Sequence, residues 1–237
     1  AALNLMLARL EEGYAKLSRF SEDLAHEMRT PLNNLMIQNQ LALSQSRTFE
    51  DYEHLLDSQQ EEYERLARMI ENMLFLARAE KQDSALQLES VDLEKLSQQL
   101  SGYFEGMAQE RGMRIETAVH GHLTADNGLV RRALANLVAN AIRYGQANTV
   151  VTLRCNTQAQ KWLDIEVLNQ GPPIGSEHLP RIFDRFYRCD ASRSHPDDSG
   201  GLGLAIVRSI MLMHGGEVLV SSSCEGTQFT LRFPRQV

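Results

Sequence analysis

Phe20-Ser21-Glu22-Asp23-Leu24-Ala25-His26-Glu27-Met28-Arg29-Thr30-Pro31-Leu32 sets a histidine, an acid and a threonine on the polar side of an apolar-periodic segment. Leu17, Phe20, Leu24, Met28, Leu32 and Leu35 recur at steps of three and four. On a helix turning about 100° per residue they form one narrow stripe. His26 falls nearly opposite that stripe and Thr30, one turn on, shares its side. Glu27 sits about 100° round the cylinder, adjacent in sequence and able to reach the ring. The three side chains are thus kept out of packing and left for chemistry. Pro31 removes a backbone donor and crowds the carbonyl of Glu27, so a kink is expected just after the histidine.

Outward from this stretch, residues 14 to about 45 read as one helix, and Ser44-Gln45-Ser46-Arg47 is a short polar break. Thr48, with Asp51 three residues later, reads as the N-cap of a second helix whose apolar face is Tyr52, Leu55, Leu66, Met69, Met73 and Leu76. Two amphipathic helices joined by a few residues make an antiparallel hairpin. One hairpin leaves its stripe half covered, so two copies are expected to pair into a dimeric four-helix bundle over residues 14–80. Lys81-Gln82-Asp83-Ser84 is polar and aperiodic and marks a linker, taken as 81–90.

Residues 91–237 differ in character. Leu93 to Arg111 reads as helix, Met113 to Val119 alternates like a strand, and Leu129 to Tyr144 is a strong helix with Asp126 or Asn127 near its start. Val150 to Asn156 and Trp162 to Leu168 are strand-like about the polar turn Thr157 to Lys161. Gly201 to His214 is a further helix closed by Gly215-Gly216, and Glu217 to Ser222 and Gln228 to Phe233 supply the last strands. Helices and mostly antiparallel strands in separate runs point to a two-layer α/β sandwich. The whole is a multidomain chain, α in its first part and α+β in its second.

Composition excludes several classes. A chain of 237 residues, 43% hydrophobic, can bury an ordinary core, and its formal net charge of −7 opposes direct nucleic-acid binding. Cys155, Cys189 and Cys224 are odd in number and lie outside any C-x-x-C pair, so no disulfide framework is expected and small buried or half-buried roles suit them. His120-Gly121-His122 stands in a turn with no further ligand at metal spacing, and no transition metal is assigned. No apolar run approaches the length of a membrane helix, and no signal peptide opens the chain.

His26-Glu27-Met28-Arg29-Thr30-Pro31-Leu32 resembles the phosphoacceptor box of bacterial sensor histidine kinases. That resemblance implies that His26 attacks the γ-phosphate of ATP, that Glu27 accepts its proton, and that Thr30 orients water for removing phosphate from the partner. Asn136-Leu137-Val138-Ala139-Asn140-Ala141-Ile142-Arg143-Tyr144 resembles the N box of the GHKL (Bergerat) ATP-binding fold. By it, Asn140 binds Mg²⁺ through its amide oxygen, Arg143 faces phosphates, Tyr144 packs near adenine, and Asn136 contacts phosphate. Asn169-Gln170-Gly171-Pro172-Pro173-Ile174 corresponds to the first glycine box, Phe183 to Arg188 to the F box, and Gly200-Gly201-Leu202-Gly203-Leu204 to the second glycine box. Asn169, Gly171, Gly201, Leu202, Gly203 and Leu204 are therefore carried over as ATP-binding. Cys189 to Ser199 would be the ATP lid.

The same resemblance extends to the flanks. Residues 1–13 look like the end of a HAMP signalling helix, so the chain reads as the cytoplasmic part of a longer, inner-membrane-anchored homodimer. The implied activity is ATP-dependent autophosphorylation of His26, then transfer to an aspartate of a response regulator receiver domain, with phosphatase activity toward that regulator. The Leu-Ala-His-Glu and Leu-Phe-Leu-Ala-Arg-Ala runs resemble the heavy-metal sensor group. Three departures, Asn169 where aspartate is usual, Pro173 for a glycine and Ser199 at the second glycine box, favour an alternative: a degraded kinase acting as phosphatase or dimer scaffold.

Overall fold

The computed structural model describes residues 2–44, 46, 48–80, 85–156, 161–189 and 200–235. The chain divides into two compact units, one built on residues up to Glu71 together with Gly200, the other on Asn72 to Cys189 and the residues from Gly201 onward. Helix α1 runs over Ala2–Ser44 and α2 over Phe49–Glu80. The expected signalling segment and first helix are thus one continuous element, which passes through Pro31 without ending.

Thr48 and Asp51 start α2 by a reciprocal cap. Thr48 Oγ1 accepts from the Asp51 N–H at 3.2 Å, and Asp51 Oδ2 accepts from the Thr48 N–H at 3.0 Å. Two hydrogen bonds from glutamine amides tie the helices of the hairpin together, Gln38 Nε2 donating to Ser58 Oγ at 3.2 Å and Gln59 Nε2 to Asn39 Oδ1 at 2.9 Å. Leu35, Ala42, Leu66 and Met69 are buried. Of the apolar stripe on α1, Leu17 and Phe20 lie outside the described side chains. Leu24 and Met28 are half-buried and Leu32 is exposed, as its place on the stripe's edge allows.

The second unit is the two-layer sandwich. Strands β2 (Arg114–Ala118), β4 (Val150–Asn156), β5 (Trp162–Asn169), β7 (Gly226–Pro234) and β6 (Glu217–Ser223) form one sheet in the order β2-β4-β5-β7-β6, antiparallel except for β2 against β4. Helices α3 (Leu93–Glu110), α4 (Asn127–Tyr144) and α5 (Gly203–Met213) cover it. Alternation decides which face they cover: Leu153 sits opposite Val167, Ile165 opposite Leu231, and Leu163 opposite Phe233, all buried. The intervening residues make a polar ladder on the other face, where Arg232 holds Asp164 by two bonds of 2.9 Å and Arg154 pairs with Glu166.

A separate ribbon of β1 (Leu88–Asp92) and β3 (His122–Asp126) was not foreseen. β1 takes the end of the segment assigned to the linker 81–90, of which 81–84 lie outside the described residues. Its two ends supply caps: Asp92 accepts from the Lys95 N–H to start α3, and Asp126 from the Leu129 N–H to start α4. The end of α2 belongs to this unit too. The Arg132 guanidinium of α4 lies 4.3 Å over the Phe75 ring and donates to Asn72 Oδ1 at 2.8 Å.

Two cysteine expectations need correction. Cys155 is half-buried, but Cys189 and Cys224 are exposed, and all three are free thiols. Burial pushes the Cys155 thiol above its ordinary range, and partial desolvation of the sulfur, with the Glu177 carboxylate adding to it, does the same for Cys189 although the residue is exposed, which makes neither a ready nucleophile.

Candidate functional site

On α1, His26 and Thr30 are exposed and Glu27 is half-buried. The helix places them as periodicity required. The histidine stands free of the packed face, while Pro31 and Leu35 beside it are buried. This arrangement belongs to the first unit and is complete in one helix.

In the second unit, the buried face of α4 is Val130, Ala133, Leu134, Leu137, Val138, Ala141 and Ile142. Asn136, Asn140 and Arg143 lie on its half-buried margin and Tyr144, 54% exposed, ends it. Asn136 donates one of its two amide N–H groups to the Arg132 carbonyl, one turn back, at 2.8 Å, which fixes the amide's orientation and leaves its oxygen and second N–H for a ligand. Asn140 makes no side-chain hydrogen bond among the described residues, so the fold leaves its amide oxygen available.

Asn169 is buried at the end of β5 and donates from Nδ2 to the Gln170 carbonyl at 3.3 Å, which leaves Oδ1 as an acceptor. The turn it opens packs directly on the end of α4. A Cβ at Gly171 would stand 2.8 Å from the Tyr144 carbonyl, so only glycine permits this approach. Thr227 lies across the sheet from Asn169 and is likewise buried. Its hydroxyl is 2.7 Å from Ser222 Oγ, which accepts from the Ile174 N–H at 2.9 Å. Sequence reasoning missed Thr227 and Ser222 as parts of this site. The only signal was Gly226-Thr227 opening the last strand.

The second glycine segment opens α5. Gly200 and Gly201 have φ of 64° and 71°, and Leu202 gives the helix no side-chain cap bond, so its first N–H groups are not claimed by a cap. A Cβ on Gly201 would lie 2.9 Å from Phe186, whose N–H donates to the Gly201 carbonyl at 3.1 Å and whose own φ is 61°. Such a helix start is suited to phosphate. α5 packs beside α4, so both box-bearing helices belong to one layer. Of the lid assigned to Cys189–Ser199, residues 190–199, with the departure at Ser199, lie outside the described residues, as do residues 45, 47 and 157–160 of the two expected turns.

Comparison with known proteins gives the family of each part of the chain. Residues 16–82 match the His Kinase A (phospho-acceptor) domain, and residues 125–237 match the histidine kinase-, DNA gyrase B- and HSP90-like ATPase family. The chain therefore belongs to the sensor histidine kinases, with a phosphoacceptor region followed by an ATP-binding domain. Within them it falls beside sensor protein CzcS of Cupriavidus metallidurans, 47% identical over 99% of this chain and 49% of that protein. Sensor histidine kinase CusS of Escherichia coli strain K12 is 40% identical over 98% of this chain and 48% of that one. The chain spans about half the length of these curated relatives. Among solved structures, Acinetobacter baumannii histidine kinase AdeS has the same fold, with a TM-score of 0.74 at 22% identity over 90% of this chain and 98% of that one. Histidine kinase ThkA, in complex with response regulator protein TrrA, gives 0.76 at 22% identity over 95% and 64%.

Proposed function

We propose that the chain phosphorylates itself on His26 from ATP and passes the phosphoryl group to an aspartate of a response regulator. The observation that carries this is an exposed histidine beside a carboxylate, on a helix of the phosphoacceptor domain, in a chain that also holds the ATP-binding fold. In the step itself, an imidazole nitrogen of His26 bonds to the γ-phosphorus as the bond to the β–γ bridging oxygen breaks. The ring proton passes to Glu27, and ADP leaves. Thr30, exposed one turn on, would orient water when phosphate is removed from the regulator.

For the nucleotide, Asn140, Arg143, Tyr144, Asn169, Gly171 and the segment Gly201 to Leu204 form the binding surface, with Asn136 a weaker member. The unengaged amide oxygen of Asn140 fits a hard cation such as Mg²⁺, which when bound would neutralise phosphate charge. Adenine recognition falls to Asn169, a reading supported by its Oδ1 being left as an acceptor that could take the exocyclic amino proton. Asn169→Ala is expected to weaken ATP about fivefold and to narrow the preference over GTP, which has no donor there. Titration with both nucleotides checks this, and wild-type ATP binding by the variant would remove the assignment.

Dimerisation through residues 14–80 is supported by a second stripe on α2 that the sequence reading had not used. Phe49, Leu56, Tyr63 and Ile70 recur at seven-residue steps and are 78, 62, 55 and 43% exposed, and Met36, Ile37 and Leu41 of α1 are exposed as well. A second hairpin would cover them. No described helix is long and apolar enough to cross a membrane. We place the membrane anchor in the remainder of the full-length protein, as the sensor relatives are about twice this length.

Incubating the purified chain with labelled ATP and Mg²⁺ tests the activity. A phosphoryl group on imidazole is lost in acid and kept in base, and label with the opposite lability would place it elsewhere.

A further inference from the structure

We propose that Arg111, which lies outside every nucleotide-binding motif, is a positioning residue of the ATP site that acts through the C-terminal turn of α4. This rests on reading that site as the nucleotide site. The last carbonyls of a helix lack intrahelical partners, and a common remedy is a left-handed glycine that folds the chain back over them. Here the cap residue Gly145 is instead extended, with φ −66° and ψ 154°, and its N–H reaches only the Ala141 carbonyl. The extended exit has a purpose: it carries Gln146 forward to donate its N–H to the Gln170 carbonyl at 2.8 Å, beside Asn169 and Gly171. It also leaves the end of α4 without its usual cover.

Arg111 provides that cover. Its Nη1 donates to the Ile142 and Arg143 carbonyls and its Nη2 to the Gly145 carbonyl at 3.0 Å. One planar fork therefore satisfies three acceptors and sets a positive charge at the negative pole of α4. Its main chain is anchored on both sides, with its N–H donating to the Ala108 carbonyl at 3.1 Å and its carbonyl accepting from the Asn148 N–H at 3.1 Å. The half-buried guanidinium is thus fixed to the end of α3 and in turn fixes the turn that carries Arg143 and Tyr144. Through Gln146 the same turn sets the Asn169–Gly171 segment. Arg111 positions both sides of the adenine end and touches no nucleotide itself.

The test uses the full chain, with ATP as the probe in calorimetric titration and steady-state autophosphorylation. Arg111→Ala is expected to weaken ATP binding roughly tenfold and to raise KM by the same factor, with kcat at saturating ATP within about twofold of wild type. Amide exchange should accelerate at Tyr144 to Gln146 and stay unchanged at Val151 to Leu153. Arg111→Lys, which keeps the charge but not the fork, should recover part of the affinity, and it carries the test if the alanine variant does not fold. Wild-type ATP affinity in Arg111→Ala would overturn the proposal. So would a loss that lysine does not relieve and that comes with faster exchange throughout the sheet, since that is general destabilisation. Failure of the wild-type chain to bind ATP is a different result, which would remove the nucleotide-site reading underneath.

Discussion

His26→Gln is expected to reduce incorporation of the γ-phosphoryl group from ATP to background while ATP affinity and dimer mass stay at wild-type values. Glutamine keeps a polar side chain of similar reach but offers no ring nitrogen lone pair, and an amide nitrogen is not a nucleophile at neutral pH. The packing cost is small because His26 is exposed on the face of α1 away from Leu35 and Leu24, and exposed polar substitutions usually alter stability by less than about 0.5 kcal/mol. ATP binding belongs to residues of the second unit and should not register the change. Labelled filter binding, nucleotide titration and light scattering read the three quantities separately. Persistent acid-labile label in the variant would falsify the assignment of His26, and a wild-type chain that scattered as a monomer at micromolar concentration would remove the proposed bundle. Thr30→Ala separates the two half-reactions in the same assays: autophosphorylation stays near wild type, and loss of phosphate from the regulator slows.

Much of this was legible because the decisive patterns are local. His26, Glu27 and Thr30 lie within five residues on one helix, and Asn136, Asn140 and Tyr144 within nine on another, so a 3.6-residue period alone puts each set together. The cap at Thr48 was readable for the same reason, and that of α4 to within Asp126 or Asn127, of which the structure uses Asp126. What sequence could not show depends on contacts across long separations. Thr227 meets Asn169 only because β7 pairs with β5 in that register, and Arg111 reaches Ile142 only because α3 ends beside α4. β1 escaped notice since only Val91 of its five residues is buried, which leaves little alternation to detect. The polar exits of Cys189 and Cys224 followed the same logic. A lone cysteine carries no periodicity, and exposure there is decided by the turn around it.

Asn140→Ala should produce the second large effect, a fall in autophosphorylation kcat/KM on the order of a hundredfold or more, since even groups that only support a metal ligand cost 10- to 100-fold when removed. The reasoning starts from what the fold leaves undone. Asn136, four residues earlier on the same face, is tethered through its Nδ2 to the Arg132 carbonyl and so has its amide orientation fixed by the helix, whereas Asn140 has no such tether among the described residues and can turn its oxygen to a ligand. Mg²⁺ is a hard cation that demands oxygen, so an amide carbonyl suits it and a methyl group cannot replace it. Fold stability should change little, because Asn140 sits on the half-buried margin of α4 while Leu137, Val138 and Ala141 carry its packing. The discriminating measurement is ATP binding with and without Mg²⁺. If Asn140 holds the cation, wild-type binding tightens when Mg²⁺ is added and the variant's does not, while metal-free affinities of the two remain alike. Asn140→Asp keeps an oxygen at the same place and adds charge, so it should restore a Mg²⁺ response while repelling the metal-free triphosphate. If Asn140→Ala retained the full Mg²⁺ response, the cation would have to be held by another oxygen, and the functional asymmetry drawn here between Asn136 and Asn140 would be wrong.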